Sequence, residues 1–343
     1  MVAASLQLDY VSADDLAAQP AAWWSTVLGV VGYDRLPPVD PARVPTAASM
    51  TPAFESGPGR CEAWRVDGAW GPELSRTSLR RGRIQYRYCR EFLFGSIAVD
   101  QDIDTSGSAA LVRATTIAYQ DIFALIEDTQ HPHLIRIWNY LPEINGDADG
   151  DERYRIFNAA RQAAFRNSGR STVGSVPAAC ALGSPPGSPL CIYFLAARRA
   201  PTMIENPLQT SAYHYPPKFG AHSPTFSRAC VLNESAGTTL FVSGTASIVG
   251  FETTHGGDAA AQTRETLANI GAVLEEANRV VGSDRYALDA LKFKVYVRRA
   301  ADLDAVRSAL AAVRPAAPIV YLQADICRED LLVEIEASGA AAC

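Results

Sequence analysis

Glu334 stands in the middle of an otherwise apolar run, Leu331-Leu332-Val333-Glu334-Ile335. A carboxyl group buried in such a strand keeps its proton near neutral pH, because desolvation penalises the charged form, and can then serve as a general acid. A glutamate on the solvent face of an edge strand explains the same pattern, and Glu336, on the same face, would be its equivalent. Cys327 precedes Arg328-Glu329-Asp330 at the entrance to this strand; a lone cysteine is most often a small core residue. Arg228 follows Ser223-Pro224-Thr225-Phe226-Ser227 with no acidic neighbour, so its planar fork has no local partner and suits a carboxylate. A surface arginine is the alternative. Tyr213 and Lys218 add donors just upstream. Arg136 shares a strand face with Trp138, which is unusual for a purely structural arginine. Arg155 could reach the same cleft or simply pair with Glu152 or Asp151. Gly244, followed by Thr245 and Ala246, either takes a turn conformation with positive φ or leaves room for a ligand. The set amounts to a proton donor surrounded by cations able to hold carboxylates.

The elements that must position these residues come as two copies of one unit. Leu240-Phe241-Val242-Ser243-Gly244 reads as a buried strand, Leu267, Ile270, Val273, Leu274 and Ala277 recur at helical spacing, and Leu291 to Val297 alternates as a half-buried strand. A second helix over about 302–313 and the strand at 331–336 complete the unit. Phe92 to Ser96, the helix 118–127, the strand 134–140, the helix 154–165 and the strand 191–195 repeat that order. The expected fold is therefore α/β (α+β), with two tandem units over residues 1–200 and 201–343, each a mixed sheet with two helices on one face. The segment 201–237 between them is long for a plain connection, and such loops tend to carry function.

The 343 residues carry a formal net charge of −6 and 48% hydrophobic residues. That balance offers no footprint for nucleic acid or an anionic membrane, so an anionic ligand needs a local cationic pocket. No run of about 18 apolar residues is present, and no membrane span is expected. The first eighteen residues lack a basic n-region and a continuous apolar stretch, and do not read as a signal peptide. The seven cysteines are odd in number and irregularly spaced, which suits reduced thiols in a cytoplasmic protein. His131 and His133 lie close together without a third ligand, so no metal site is expected. No GxGxxG or P-loop occurs.

The C-terminal unit resembles the YjgF-like reactive-intermediate deaminase superfamily, through Phe241-Val242-Ser243-Gly244, Gln262-Thr263-Arg264 leading to Asn269, and Leu332-Val333-Glu334-Ile335-Glu336-Ala337. The whole chain resembles the chorismatase family. The blocks are Ile204-Glu205-Asn206-Pro207, Ser211-Ala212-Tyr213, Ser223 to Ala229, Ser243 to Gly250, Arg136 to Pro142 and Glu152-Arg153-Tyr154-Arg155. Phe251 stands where many members carry histidine. The resemblance implies a cofactor-free enzyme that takes chorismate, with Glu334 as general acid. Tyr213, Lys218, Arg228, Gly244, Thr245, Ala246, Arg136 and Arg155 would line or hold the substrate. Cys327, as in the hydroxybenzoate-forming branch, would steer the intermediate to 3-hydroxybenzoate, with some 4-hydroxybenzoate. Another branch hydrolyses chorismate to a dihydroxycyclohexadiene carboxylate, and a third gives 3- and 4-hydroxybenzoate together. Two rivals are an imine deaminase and a non-enzymatic binding module. Deaminases of the superfamily hold their carboxylate with an arginine upstream of the closing strand, where Ala324-Asp325 stand here. Superfamily relatives often form trimers, so the chain is expected as a monomer satisfying that contact internally or as a trimer.

Overall fold

The computed structural model describes residues 5–49, 51–54, 60–67, 79–101, 107–234, 237–313 and 319–342; Cys343 lies outside them. The chain opens with β1 (Ser5–Ser12), two short helices, α1 (Ala13–Ala18) and α2 (Ala21–Trp24), then β2 (Val27–Gly32), β3 (Thr46–Ala48) and β4 (Arg60–Asp67). These strands form a sheet of their own in the order β1-β4-β2-β3. Ser12 caps α1, its side chain accepting from the Asp15 amide at 3.0 Å. The sequence repeat contains no counterpart of this sheet, and its two helices, of six and four residues, are too brief to show a period.

The first repeated unit follows. It comprises β5 (Leu79–Arg81), β6 (Ile84–Tyr88), β7 (Phe92–Val99), α3 (Gly107–Asp128), β8 (His133–Pro142), a small ladder of β9 (Asp147–Ala148) and β10 (Asp151–Glu152), α4 (Arg153–Asn167), β11 (Ala178–Ser184) and β12 (Leu190–Ala197). Its sheet order is β11-β8-β12-β7-β6-β5. The second unit has β13 (Thr202–Ile204), β14 (Ala229–Asn233), β15 (Gly237–Ala246), a ladder of β16 (Ile248–Val249) and β17 (Glu252–Thr253), α5 (Ala259–Val281), β18 (Lys292–Val297), α6 (Leu303–Leu310), β19 (Val320–Gln323) and β20 (Val333–Ala342). Its order, read from the other edge, is β19-β18-β20-β15-β14-β13.

The two orders correspond strand for strand, and so do the directions. β11 runs parallel to β8 as β19 does to β18, and the remaining neighbours are antiparallel. A parallel pair needs a crossover, and in each unit a helix, α4 or α6, provides it. The fold is thus the expected pair of mixed sheets, each carrying two helices. Sequence reading missed the parallel edge strand in both. Helix α3 is long and apolar enough by composition to span a membrane, but Leu111, Ala118, Ile122, Leu125 and Ile126 bury it against the first unit's sheet. The longest helix, α5, begins at Asp258, whose carboxylate accepts from the Ala261 amide at 2.9 Å, and ends at Gly282 in the left-handed region.

The N-terminal sheet and the sheets of both units turn one face inward onto a shared core. It includes Leu8, Val31 and Trp64, then Trp138, Tyr140 and Tyr193, then Phe241 and Tyr296. Four charges are buried within it. Lys294 of β18 is paired with both Glu62 of β4 and Glu336 of β20, and Arg136 of β8 is paired with Glu336. Trp138 Nε1 donates to Glu336 at 2.9 Å and Lys294 donates to the Tyr193 hydroxyl at 2.9 Å. Two cations and two carboxylates cancel, which is what makes ions in an apolar core tolerable.

Removing one member leaves the others uncompensated. Lys294→Met should lower unfolding stability by about 3–5 kcal/mol, read from urea denaturation. Lys218→Met, which breaks an exposed pair with Glu252, should change it by roughly 0–1 kcal/mol. Equal, small effects from both would show that the network is not under the expected charge constraint.

Candidate active site

A cavity of about 590 Å3 opens where the first unit meets the second, within the range of small-molecule sites. One wall is the first unit: Asn145, Asp151, Glu152, Tyr154 and Arg155, from the β9–β10 ladder and the start of α4. The opposite wall is β15 and β20 with the loop between β19 and β20, contributing Gly244, Ala246, Cys327, Arg328, Leu331 and Glu334. The segment between the units closes it with Tyr215, Phe219, Phe226 and Arg228.

Glu334 is 3% exposed and makes no ion pair among the described residues. Burial, with the Glu336 carboxylate adding to it, pushes its carboxyl up to about 8, while Arg136 pulls it down. Glu336 sits two residues on and meets the opposite fate: burial again raises it, but Lys294 and Arg136 outweigh that and hold it below the usual carboxylate range. The two acids are therefore not equivalent, as a solvent-facing strand would have made them. Neither faces solvent, and only one keeps its proton.

Gly244 explains how the Glu334 carboxyl is seated. β15 shifts register between Val242 and Thr245 against β20, a bulge of the kind that re-aims side chains beside functional sites. A Cβ at Gly244 would overlap the Glu334 carboxylate and lie 3.0 Å from Cys180 Cβ. The room left by this glycine is filled by the acid itself, not kept for a ligand ring. Gly244 is also not among the positive-φ glycines, so the turn reading of it does not hold, while its place in the cavity lining does.

Arg228 is 4% exposed. Its Nη2 serves Thr210 O at 2.7 Å and the Tyr215 hydroxyl at 2.8 Å, while its Nε is buried without a partner. Arg328 donates through Nη1 to Phe251 O at 2.8 Å, lies over the Phe219 ring at 4.0 Å, and has a buried Nη2 without a partner. Both guanidinium groups thus belong to cavity-lining residues, each with one buried nitrogen left without a partner, and their positive charge suits an anion in the cavity. Arg328 is not among the residues singled out in the sequence; although Glu329-Asp330 follow it, no ion pair with either forms among the described residues. It also supplies, beyond Ala324-Asp325, a basic residue upstream of the closing strand. Arg155 lines the cavity and also pairs with Glu152 at 3.3 Å, so both readings of it hold together. Cys327 lines the cavity, and burial, then the Glu334 charge, pushes its thiol up to about 12.

Four other expected residues are placed elsewhere. Arg136 is committed to Glu336 in the central core, so its unusual strand position answers to a partner far away in sequence. Lys218 points outward to Glu252 with half of its side chain exposed, over the rings of Phe219 and Phe251. Thr245 is buried, its hydroxyl donating to Ser243 O at 2.8 Å. Tyr213 packs edge-on against His214 outside the cavity lining. Ala246 does line it. His131 is a core histidine bonded to Cys89 O at 2.9 Å.

Residues 62–196 match the family model described as chorismatase FkbO/Hyg5-like, N-terminal. A 3-hydroxybenzoate synthase of Streptomyces hygroscopicus is 37% identical over 320 residues, 90% of this chain and 90% of its own. A chorismatase of the same organism is 38% identical over 306 residues, 82% of this chain and 87% of its own. A crystal structure of a chorismatase superposes with a TM-score of 0.85 at 32% identity, covering 98% of this chain and 99% of that one. The chain belongs to the chorismatase family. It is an enzyme with a small-molecule substrate.

A thiol held near 12 is almost wholly protonated at working pH, and only the thiolate is nucleophilic. Cys327 should therefore react with iodoacetamide at pH 8 at least about tenfold more slowly than a free thiol, measured by peptide mass mapping. A fast-reacting Cys327 would contradict its placement.

Proposed function

We propose that the enzyme converts chorismate to pyruvate and 3-hydroxybenzoate, with Glu334 as general acid. The observation that carries the reading is a buried carboxyl, Glu334, without an ion pair among the described residues and lining one cavity with Arg228 and Arg328; burial favours its protonated form. Chorismate carries two carboxylates and an enol ether. Arg228 and Arg328 hold the carboxylates, with Arg155 at the first unit's wall; Gly244 and Ala246 shape the floor beneath the acid. Glu334 gives its proton to the enol methylene carbon, leaving an oxocarbenium-like centre whose ether oxygen departs with pyruvate. The ring's own hydroxyl displaces pyruvate internally, and the ring then aromatises. Pyruvate and hydroxybenzoate together contain the atoms of chorismate, so neither water nor an oxidant enters. Hydrolysis to the diol would consume one water, and needs that water beside the reacting carbon.

Cys327 supports the aromatic outcome. A thiol with so high a pKa acts as a neutral S–H donor near the departing oxygen, not as a thiolate base. The internal displacement leaves an epoxide; breaking its bond to the carbon that first bore the hydroxyl, with loss of a ring proton, gives the 3-isomer, and breaking the new C–O bond instead gives some 4-hydroxybenzoate. The cytoplasm is the compartment that suits the six free thiols, buried or half-buried, among the described residues.

Incubation with chorismate and a chelator should release pyruvate and hydroxybenzoate in equal amounts, followed by coupled reduction of pyruvate and by chromatography. Glu334→Gln should lower kcat on the order of 100-fold or more while binding persists. For the wild type, kcat should decline as pH rises through about 8, because the acid form is then lost. A flat profile to pH 10, or a nearly normal Glu334→Gln enzyme, would remove Glu334 from the role.

Gly244→Ala should resemble Glu334→Gln, with pyruvate release falling on the order of 100-fold, since the new methyl displaces the acid. Cys327→Ala should keep pyruvate release and move product toward the non-aromatic dihydroxy acid. A wild type making only the diol would reassign the branch.

A further inference from the structure

Residues 324–332, between β19 and β20, have no helix or strand of their own. Yet they carry Cys327, Arg328 and Leu331 into the cavity and lead directly to Glu334. Irregular backbone at such a place holds one shape only if its carbonyls find donors. Arg298, the residue after β18, provides them. Its Nε donates to Leu331 O at 2.8 Å, and its Nη2 to Ile326 O at 2.8 Å and Arg328 O at 2.9 Å. Its Nη1 donates to Asp325 Oδ1 at 2.7 Å and Asn145 Oδ1 at 3.1 Å. A guanidinium has five N–H donors, and here each has an acceptor. The backbone amide of Arg298 adds a bond to Leu332 O at 2.9 Å.

The pattern is directed at the site. The carbonyls of 326 and 328 bracket Cys327, so one side chain holds the peptide that enters the thiol's residue and the peptide that leaves Arg328. Asn145 belongs to the first unit and lines the cavity, so the same fork ties the loop to the opposite wall. Arg298 does not itself line the cavity. Gln262 of α5 holds the loop's other end, donating to Asp330 O at 2.9 Å and accepting from the Leu332 amide at 2.7 Å.

We propose that Arg298 is a positioning residue of the active site, whose grip on residues 325–331 sets where Cys327 and Arg328 stand and thereby which product the ring becomes. The proposal deepens the chorismatase reading and rests on it for the product term. A lysine cannot replace this grip, because its donors radiate from one nitrogen, whereas the acceptors here are spread around a planar fork.

The test uses Arg298→Lys, which keeps the charge, in the full chain, with folding checked by circular dichroism and thermal unfolding. Iodoacetamide labelling of Cys327, mapped by peptide mass, should accelerate about tenfold as the loop gains open states, while buried Cys180 and Cys230 stay slow. With chorismate, kcat should fall about 10- to 100-fold, as for a misplacement on the scale of 1 Å, and the share of non-aromatic diol should rise. A general loss of stability would lower the active fraction without changing the product ratio. Should Arg298→Lys fail to fold, Asp325→Ala removes one bond from a half-exposed partner, and a smaller rise in both Cys327 labelling and diol share is expected. A folded variant with unchanged Cys327 labelling and unchanged product ratio overturns the proposal. If the wild type releases no pyruvate, the chorismatase reading fails, and the Cys327 labelling alone still decides whether Arg298 holds the loop.

Discussion

Two carboxylates two residues apart on one buried strand are the constraint from which the rest of the arrangement follows. Taking both from water in charged form would be very costly, and each raises the cost of ionising the other. The protein resolves this by separating their surroundings. Glu336 is given Lys294, Arg136 and the Trp138 indole, and stays charged. Glu334 is given a glycine-made niche and no ion-pair partner among the described residues, and keeps its proton. The fixed charge of Glu336 then helps to hold that proton in place. The acid's state is therefore set first by its burial and then by charges, Glu336 and Arg136, that do not line the cavity.

The duplicated scaffold makes the asymmetry legible. In the second unit Ala246 is paired with Glu334, and in the first the corresponding Ala98 is paired with Cys191. Ser96 stands where Gly244 stands. The first unit thus has neither the acid nor the niche, and contributes the facing wall through Tyr154 and Arg155 instead. Arg136 and Trp138 on its β8 reach across to Glu336. One copy holds the buried acid, and the other supplies its electrostatic and steric surroundings.

What was legible in the sequence was local. Periodicities of about two and 3.6 recovered the main helices and the central strands of both units. The parallel edge strands escaped because Ala178 to Ser184 is built of small residues with no alternation, and Val320 to Gln323 is too short to show one. Glu334 and Arg228 could be picked out because each contradicts its immediate neighbourhood, whereas Cys327 stood out only through the family resemblance. Arg136 was misplaced for the opposite reason, since its partner lies 200 residues on. Arg328, Tyr215 and Phe219 acquire meaning only when the loop and the inter-unit segment fold against each other. Gly244 was found for the wrong reason: a missing side chain marks a close approach, but not what approaches.

The N-terminal sheet, invisible as a repeat, completes the electrostatics. Lys294 without Glu62 would face Glu336 alone, with Arg136 competing for the same carboxylate, and the core would carry an excess positive charge. An unbalanced cation near Glu336 would also stabilise the ionised form of Glu334 two residues away, lowering its affinity for a proton. Glu62 on β4 cancels that charge, and the Trp64 indole at 3.2 Å and the Tyr193 hydroxyl at 3.3 Å hold it there. A carboxylate from the first seventy residues thus belongs to the same charge balance as the acid in the last strand, although no element joins them directly.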